Sequence, residues 1–416
     1  MNVPDARTPD APAGMIAKFV GQKGDYWRLL IQGNALVAVT LGIYRFWLIT
    51  DMRRYLWSNT EIGGESLEYT GRGVELFVGF LIAIAVLAPI YVVVIGVSFA
   101  IKGLQDFAAT ILFLVLFVLG QYAIYRGRRY RLTRTIFRGV RFHQSGSAWN
   151  YAFRSVGWWV VIFLTLGLAY PWAQANLERY LMRHTFYGDM PGRFAGSGTS
   201  LFLRGIVLWL ILAVPVFIAL LGVSAADWTS FATQLAASTQ TGKGAPVGSS
   251  AAKFFAFAPF WIVIVGLLMY PALEAITMRW RLSGLRFGDI AFASGLRTGS
   301  VYLIFLKYIL ATILLAIVAA VIAAMGAGLL WAMVGSVKEM LFAQILGAII
   351  GIAFYVVFIL ALSTIYQAIV KLSLWQIAVE SLDISNFHMV ELVKADGTQS
   401  SPFGEGLADA LNVGSF

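Results

Sequence analysis

The chain has 416 residues, of which 59% are hydrophobic and only 12% are charged. Soluble domains average roughly 45–50% apolar and 25% charged residues, so this composition excludes a disordered chain, a coiled coil and an ordinary cytosolic enzyme. The apolar residues form long runs, which indicates an integral membrane protein. Because the chain contains no cysteine, disulfides, thiolate catalysis, zinc fingers and iron–sulfur clusters are excluded as well.

The formal net charge of +10 comes from 31 basic and 21 acidic residues. In a membrane protein such an excess is typical of lysine and arginine held on the cytoplasmic side, facing anionic lipid. The basic residues are scattered through juxtamembrane segments, which argues against a nucleic-acid partner. The polar start of the chain lacks the apolar stretch of a cleavable signal peptide, and we expect a flexible N-terminal tail over 1–23.

Eight apolar runs follow in chain order, and six of them reach the roughly 20 residues that a membrane-spanning helix needs. These six are Gly73–Ala100, Leu104–Tyr125, Thr199–Ser224, Ala251–Ile276, Gly299–Met325 and Met340–Ile369. The other two, Asn34–Ile49 and Val156–Ala173, are shorter and are each interrupted by Thr-Leu-Gly. At about 16 apolar residues they are marginal spans, or re-entrant or interfacial segments.

The placement of basic residues predicts the topology. Arginine-rich segments occupy 51–72, 126–151, 176–198 and 278–298, whereas the linkers between them hold only Lys102, Lys243 and Lys338. The positive-inside rule places the first set in the cytoplasm. If Val156–Ala173 crossed the membrane, the arginine-rich segments on its two sides would face opposite compartments. We therefore predict an all-α polytopic protein with six full spans and two segments that dip in and return; an eight-span protein is the alternative.

The chain repeats itself, because a shift of 125 residues superposes 26–77 on 151–202 without gaps. Identical residues at this offset include Tyr26 and Tyr151, Trp47 and Trp172, Arg54 and Arg179, and the two Thr-Leu-Gly sequences. So many identities at one constant offset indicate internal duplication. We assign residues 24–395 to a single membrane domain that contains it, and 396–416, with Pro402 and four glycines, to a flexible C-terminal tail.

A shorter motif recurs five times, with an arginine beside an aromatic or polar residue in four of its copies. Its anchors are Arg45, Tyr125, Tyr170, Tyr270 and Tyr366, and nine residues later stand Arg54, Arg134, Arg179, Arg279 and, in the last copy, Trp375. Arginine next to an aromatic ring suits the headgroup layer. The residues that follow alternate about Gly-Gly or Gly-Asp, which predicts short cytoplasmic β-hairpins. We expect these hairpins to pair into a small sheet.

Several stretches resemble the bacterial YjgN-like inner-membrane protein family. They are Gly24-Asp25-Tyr26-Trp27-Arg28, Val39-Thr40-Leu41-Gly42-Ile43-Tyr44, Arg53-Arg54-Tyr55 with Asn59-Thr60, and Thr165-Leu166-Gly167 with Pro171-Trp172-Ala173-Gln174. The first copy departs from the pattern, since Arg45-Phe46-Trp47 stands where the family usually has Pro-Trp-Ala. The resemblance covers most of 22–395. It implies a multi-pass protein of the bacterial inner membrane, and it implies no activity, because the family is a domain of unknown function.

The residues offer little catalytic chemistry. None of the three histidines lies at metal-ligand spacing from another, and no nucleophile elbow, phosphate-binding loop or zinc-protease motif is present. Asp189 and Asp289 occupy matching turns; they could form an acid–base pair, but aspartates that cap their own turns are the commoner case. We therefore predict no catalytic, cofactor or metal site and no enzymatic activity. Lys307 lies inside a predicted span, either reaching back to the headgroups or contacting an ion or substrate.

The recurring arginines Arg54, Arg134, Arg179 and Arg279 suggest a function. Side by side, they would form a cytoplasmic ring that binds anionic lipid headgroups or an acidic protein partner; ordinary anchoring is the simpler interpretation. The favoured hypothesis is a structural or scaffold protein that binds lipid, a partner or a second copy through this basic face. A transporter or channel is one alternative, since duplication and re-entrant segments are familiar there. An accessory subunit of a membrane enzyme such as a protease is another.

Overall fold

The computed structural model describes residues 15–101, 103–241, 249–332, 337–397, 399–411 and 413. Its α-helices are α1 (Lys23–Val39), α2 (Arg45–Ser58), α3 (Gly73–Ala100), α4 (Ala108–Thr133), α5 (Ala148–Leu164), α6 (Tyr170–Arg183), α7 (Gly198–Leu221), α8 (Ala225–Thr241), α9 (Ser250–Gly284), α10 (Thr298–Ala332), α11 (Val337–Ile365), α12 (Leu372–Glu380) and α13 (Phe403–Ala410). A π-helix, Tyr366–Lys371, joins α11 to α12.

Short strands follow many of these helices. They are β1 (Met15–Ile16), β2 (Lys18–Phe19), β3 (Thr60–Ile62), β4 (Glu65–Ser66), β5 (Glu68–Tyr69), β6 (Thr135–Phe137), β7 (Val140–Gln144), β8 (Thr185–Tyr187), β9 (Met190–Phe194), β10 (Leu285–Phe287), β11 (Ile290–Ser294) and β12 (Leu382–Ser385).

Among the described residues, six helical segments are long and apolar enough to cross a membrane, and each covers most of one of the six long apolar runs of the sequence. They are Gly73–Ala100, Ala108–Thr133, Gly198–Leu221, Ser250–Gly284, Thr298–Leu330 and Leu341–Glu380. Three of them continue well beyond the apolar runs, to Thr133, Gly284 and Glu380. The added turns carry arginine, lysine and aromatic residues, which suit the headgroup layer at the end of a span.

The two interrupted runs fold as helical hairpins, α1 with α2 and α5 with α6. Each hairpin turns at Thr-Leu-Gly. The Thr40 hydroxyl donates to the Leu36 carbonyl, at 2.7 Å, and accepts from the Tyr44 amide, at 2.9 Å. Leu41 and Gly42 then reverse the chain with positive φ of 49° and 95°, and Leu166 and Gly167 do the same in the second hairpin.

The strands curl into a closed ring, whereas the sequence predicted short β-hairpins that pair into a small sheet. One sheet has the order β1-β12-β11-β10-β9-β8-β7-β6-β5, and a second has the order β2-β3-β4. Only Ala17 separates β1 from β2, and only Leu67 separates β4 from β5. These two bent strands belong to both sheets. β1 pairs with β12 and β2 with β3, while β4 pairs with β3 and β5 with β6, so antiparallel pairing continues around the ring. A closed ring leaves no free strand edge.

The interior of the ring is filled by the segment that follows β12. After Asn386, whose φ is 58°, the chain forms a short 3₁₀ helix, Phe387–Leu392. Its buried Val390 packs in one hydrophobic cluster with residues from strands around the whole ring, including Phe137, Tyr187 and Ile384. The strands therefore surround a hydrophobic core that one local segment closes.

Equivalent elements of the first unit (residues 23–144) and the second unit (148–294) lie at one constant offset. α1 and α5, α2 and α6, and β3 and β8 have bounds that differ by 125 residues at both ends. α3 and α7 also begin 125 residues apart. The matched sequence segments therefore adopt the same local structures.

The chain termini differ from the flexible tails that the sequence suggested. At the N-terminal end, 15–16 and 18–19 are strands of the ring, and 1–14 lie outside the described residues. At the C-terminal end, α13 packs between α3 and α4. The glycines there permit close packing: a Cβ on Gly406 would overlap the backbone of Gly79, and one on Gly404 would overlap Arg126. Composition alone cannot separate a glycine that allows motion from one that allows contact.

Candidate functional site: a charged cavity beside the first helical hairpin

A cavity of about 470 Å³ lies among α1, α2, α3, the π-helix and α13. Its apolar lining includes Leu30, Leu48 and Leu76. The π-helix contributes Tyr366, Gln367 and Lys371. Single π-helical turns inside α-helices are frequent at functional sites, because the extra residue in the turn changes the direction of the side chains.

Five charged side chains line this cavity. Arg45 and Arg53 come from α2, Lys371 from the π-helix, and Glu405 and Asp409 from α13. Their formal sum is positive by one charge. Arg45 forms an ion pair with Asp409, and Arg53 forms one with Glu405. Each pair joins the first hairpin to the C-terminal helix.

Glu405 is the most enclosed carboxylate of the site, since its side chain is 5% exposed. Besides Arg53 it binds Arg131 of α4, with Nη1 and Oε2 3.2 Å apart. Arg53 also donates to the Tyr69 hydroxyl at 3.2 Å. One carboxylate thus forms ion pairs with two buried guanidinium groups, which come from separate helices. An ion pair of this kind is strongly destabilised when one partner is removed.

Burial and ion pairing act in opposite directions on these groups. Burial alone would raise the pKa of Glu405, but Arg53 and Arg131 outweigh it and hold the pKa below its usual range. Burial would likewise lower the pKa of Arg53, yet Glu405 and Tyr69 raise it. At Asp409 burial prevails over Arg45, so that pKa is raised. The two carboxylates of α13 therefore respond to acid differently.

Two acceptor atoms of the lining lack a protein hydrogen-bond donor within the described part of the chain. They are Gln367 Oε1 and Asp409 Oδ2, and both are buried. Elsewhere in the wall, Asn34 donates to the Thr364 hydroxyl at 2.7 Å. The cavity thus combines cationic groups with acceptors, a set that suits an anion carrying hydroxyl groups.

Three of the four arginines selected from the sequence occupy matching places. Arg54 donates to the Gly71 carbonyl at 3.4 Å and Arg179 to the Gly196 carbonyl at 3.1 Å. Arg279 donates to the Thr298 hydroxyl at 3.2 Å. Each of the three links the helix that precedes a strand to the beginning of the next span.

Arg134 does not belong with them. It follows α4 as its C-terminal cap, is buried, and pairs with Glu75 at 3.0 Å. The position six residues before the first strand holds Arg54, Arg179 and Arg279, and in α4 this position holds Arg129. An alignment of the motif copies on Tyr125 therefore places Arg134 five residues away from the matching position. Alignment on the first strand residue, Thr135, places Arg129 there. The last copy has Gln376 there, rather than Trp375.

The remaining candidates lie apart from the cavity. Lys307 is exposed on α10. Asp189 accepts from the Lys394 amide at 2.9 Å, so it secures the segment that leaves the ring. Among the described residues, no group of three or more histidine, aspartate or glutamate side chains is arranged to hold a metal ion.

Local sequence patterns do not identify the charged residues of the cavity, which are Arg45, Arg53, Lys371, Glu405 and Asp409. One signal was present: Arg45 stands where the related family usually has proline. A charge at a position of otherwise apolar character, near the turn of a hairpin, marks a residue that needs a partner. The partner, Asp409, is 364 residues away in sequence, so local patterns could not identify it.

Six candidate spans, a strand ring at one end of the helices and a charged cavity define a polytopic membrane protein. A family model described as a bacterial protein of unknown function (DUF898) matches residues 16–248 and 244–399. The chain belongs to this family.

Curated relatives agree with this assignment. Inner membrane protein YjgN of Escherichia coli (strain K12) is 28% identical over 151 residues, 36% of this chain and 35% of that protein. Inner membrane protein YjgN of Salmonella typhimurium (strain LT2) is 28% identical over 138 residues, 32% of this chain and 33% of that protein. In each case the match spans about a third of the relative's length. No solved structure matches the chain. The predicted multi-pass location in the inner membrane is confirmed.

Proposed function

We propose that this protein binds an anionic phospholipid, with the headgroup in the charged cavity beside the first helical hairpin. The observation that carries the proposal is the convergence of Arg45, Arg53 and Lys371 on one cavity of about 470 Å³. Cationic groups that lie between the helices of a membrane protein are costly and commonly mark a functional site. The proposal moves the lipid site predicted from the sequence away from the ring of arginines.

The chemistry of the lining favours a headgroup that carries both a phosphate and hydroxyl groups. Guanidinium and ammonium groups donate to phosphate oxygens. The buried acceptors Gln367 Oε1 and Asp409 Oδ2 can receive hydrogen bonds from hydroxyls. Phosphatidylglycerol offers this combination, whereas the choline headgroup offers no hydroxyl donor.

The hairpins support a membrane location for the cavity. Leu41 at the tip of the first hairpin is 94% exposed, and Phe163 and Leu164 at the second are 80% and 74% exposed. Exposed apolar tips are costly in water, so we infer that both hairpins dip into the bilayer and return. In support, β2 pairs with β3, and β7 pairs with β8; each hairpin thus leaves and re-enters the ring, whereas a single crossing would separate these strand partners.

Lipid retention tests the cavity. The protein would be purified in mild detergent from membranes containing phosphatidylglycerol, and the bound lipid counted by native mass spectrometry. Lys371→Met should lower retained phosphatidylglycerol about tenfold, since a hydrogen bond to a charged group contributes roughly 1.5–3 kcal/mol. Lys307→Met is the matched control: it removes a lysine from another span, on a surface away from the cavity.

A second set of variants distinguishes lipid binding in the cavity from lipid binding by the recurring arginines. Exchange of Arg54, Arg129, Arg179 and Arg279 for Gln should leave the retained phosphatidylglycerol unchanged. If that variant loses the lipid and Lys371→Met keeps it, the site is the basic face and the cavity assignment is wrong. Equal retention in all variants and in the wild type would reject both sites.

Topology can be checked separately, because the cysteine-free chain supplies its own background. Single cysteines at Ser197 and Ser238 would be probed with an impermeant maleimide from the periplasmic side. Hairpins that return to one face predict labelling at Ser238 alone. Labelling at Ser197 alone would mean that the second hairpin region crosses, as in an eight-span protein.

A solute carrier is the second candidate function, and the π-helix favours it, because an irregular turn within a span is typical of transport sites. The cavity would then hold a soluble organic anion. Uptake by proteoliposomes that depends on Lys371 and is unaffected by anionic lipid would support this alternative.

A further inference from the structure

The C-terminal helix occupies a groove that its glycines and its carboxylate fit closely. A Cβ on Gly79 of α3 would meet Pro402, and one on Gly127 of α4 would lie 3.0 Å from Glu405 and 3.1 Å from Ala408. Leu407 and Ala408 are each 2% exposed and pack with Ala83 and Ala123. The groove between α3 and α4 therefore accommodates both the carboxylate and the apolar face of α13.

The second unit shows what the groove looks like without such an occupant. The position of Arg53, seven residues before β3, is Glu178 before β8, and the position of Arg131, four before β6, is Arg281 before β10. Glu178 and Arg281 pair directly at 2.7 Å. The second unit thus neutralises its own arginine, whereas the first unit takes its carboxylate from the end of the chain.

In the second unit the two glycines of the groove are replaced by larger residues. The counterparts of Gly79 and Gly127 are Arg204 and Thr277, at the same distances from the matched elements. Thr277 is buried there, whereas Arg204 is exposed. α7 and α9 pack directly against each other there.

We propose that Arg53 and Arg131 form a phosphate-binding site, that Glu405 occupies it in this structure, and that α13 is a strap which an anionic phospholipid displaces. This inference rests on the proposed lipid-binding function and adds a second, regulated position for the lipid, which shares Arg53 with the cavity and forms when α13 leaves the cavity wall. A phosphate group accepts from paired guanidinium groups as a carboxylate does, and it can engage both at once. An acyl chain replaces the apolar contacts of Leu407 and Ala408. No covalent bond changes in the exchange.

The path of the chain permits the strap to leave. α13 is a short helix of eight residues. The segment before it is held at two places, by Lys394 with Asp189 and by Ser400 with Thr133. Displacement of α13 must break its packing against α3 and α4 and its ion pairs with Arg53 and Arg131, and these are the interactions that the phospholipid replaces. The core of the ring is unaffected when α13 moves, because Val390 precedes the residues that form these two hydrogen bonds, Lys394 and Ser400.

Cysteine labelling of the buried face of α13 tests the strap. Ala408→Cys would be placed in the otherwise cysteine-free protein, and the rate of maleimide labelling measured in detergent with phosphatidylglycerol, phosphatidylcholine or inorganic phosphate added. Phosphatidylglycerol should raise the rate about tenfold or more, as expected when a buried helix opens locally. Phosphatidylcholine should leave the rate unchanged. A rise with inorganic phosphate as well would identify the phosphate group alone as the ligand.

Matched variants show whether the effect belongs to the strap. Ala175→Cys in α6 has the same 2% exposure and should not respond to lipid. Glu405→Gln should raise labelling at Ala408→Cys without lipid, whereas Glu178→Gln should not. If phosphatidylglycerol is retained in a Lys371-dependent way but the labelling rate stays constant, the strap is wrong and the cavity proposal stands. If neither retention nor labelling responds, both are wrong.

Discussion

The first and second units share one arrangement of helices and strands but solve one electrostatic problem differently. In the second unit Glu178 and Arg281 pair across two neighbouring helices. In the first unit both matched positions are arginine, and their common partner Glu405 comes from α13. The ion pair of the second unit joins two residues of that unit, whereas the ion pair of the first unit joins residues 352 positions apart.

This difference shows how a repeated structure can acquire a site. Two arginines in a buried place repel each other and require an anion. A unit that supplies the anion from within is permanently neutral. A unit that takes it from a separate helix can exchange it for another anion, which is a requirement of a binding site.

Reversal of the charge at position 53 should have the largest effect on the stability of the first unit. Arg53→Glu places a second carboxylate beside Glu405 in a buried site, and we expect a loss of about 3–5 kcal/mol in the free energy of unfolding, as for a broken buried pair. Denaturant unfolding in detergent, followed by tryptophan fluorescence, measures it. Arg53→Glu combined with Glu405→Gln recreates the residue pair of the second unit and should recover most of the loss. Failure of this rescue would contradict the equivalence of the two sites.

Filling the groove should have the next largest effect. Gly79→Leu introduces a side chain against Pro402 and Gly406, and overpacking of this kind costs about 1–3 kcal/mol. Gly96→Leu in the same helix is the control, because a Cβ there meets open space. Limited proteolysis with intact-mass detection should show the C-terminal segment cut faster in Gly79→Leu only. Equal cleavage of the two variants would mean that α13 does not depend on this contact.

Acid should separate the two carboxylates of α13. Because the folded-state pKa of Glu405 lies below its ordinary 4.5, its charge contributes full stability above that pH and loses it as the pH falls through the lower value. The pKa of Asp409 is raised above its ordinary 3.8, so wild type should gain stability relative to Asp409→Asn as the pH falls. Thermal unfolding midpoints of wild type, Glu405→Gln and Asp409→Asn across pH measure both trends. Parallel curves for the two variants would contradict the assignment.

The smallest effect is expected where the units are alike. Arg54→Gln and Arg179→Gln each remove a hydrogen bond to a carbonyl 17 residues later, from an exposed side chain. Arg54 also forms an exposed ion pair with Asp51 at 3.1 Å, which Asn176, the counterpart of Asp51, cannot form with Arg179. Each substitution should cost about 1 kcal/mol or less, and the two values should differ by no more than an exposed ion pair contributes. A large loss in one unit alone would show that its arginine has a further partner.

Sequence patterns predicted the parts of the fold that depend on local interactions. Apolar runs gave the six spans, since a helix satisfies its backbone polar groups within itself. Thr-Leu-Gly marked the hairpin turns, because the hydroxyl of Thr40 bonds its own helix and Gly42 takes a positive φ. The 125-residue shift matched the elements that share a structure.

The ring and the cavity depend on contacts between distant residues, which local patterns do not contain. Met15 pairs with Ile384, and nothing near either residue indicates the other. Glu405 stands between two glycines, a sequence typical of a flexible tail, and its burial follows only from the groove between α3 and α4. The position of Arg134 in the repeated motif also depends on the sheet. The first residue of each strand sets the alignment of the motif copies, and the sequence of the preceding helix does not reveal where β6 begins.

Closure of the ring by β1 has a consequence for biosynthesis. The first described strand of the chain pairs with β12, which emerges from the ribosome only after all six spans have been made. Until then β1 and β11 each present an unpaired strand edge, the kind of surface that joins chains together. Membrane insertion therefore precedes completion of the ring, and a chain truncated before β12 would be inserted yet remain prone to aggregation.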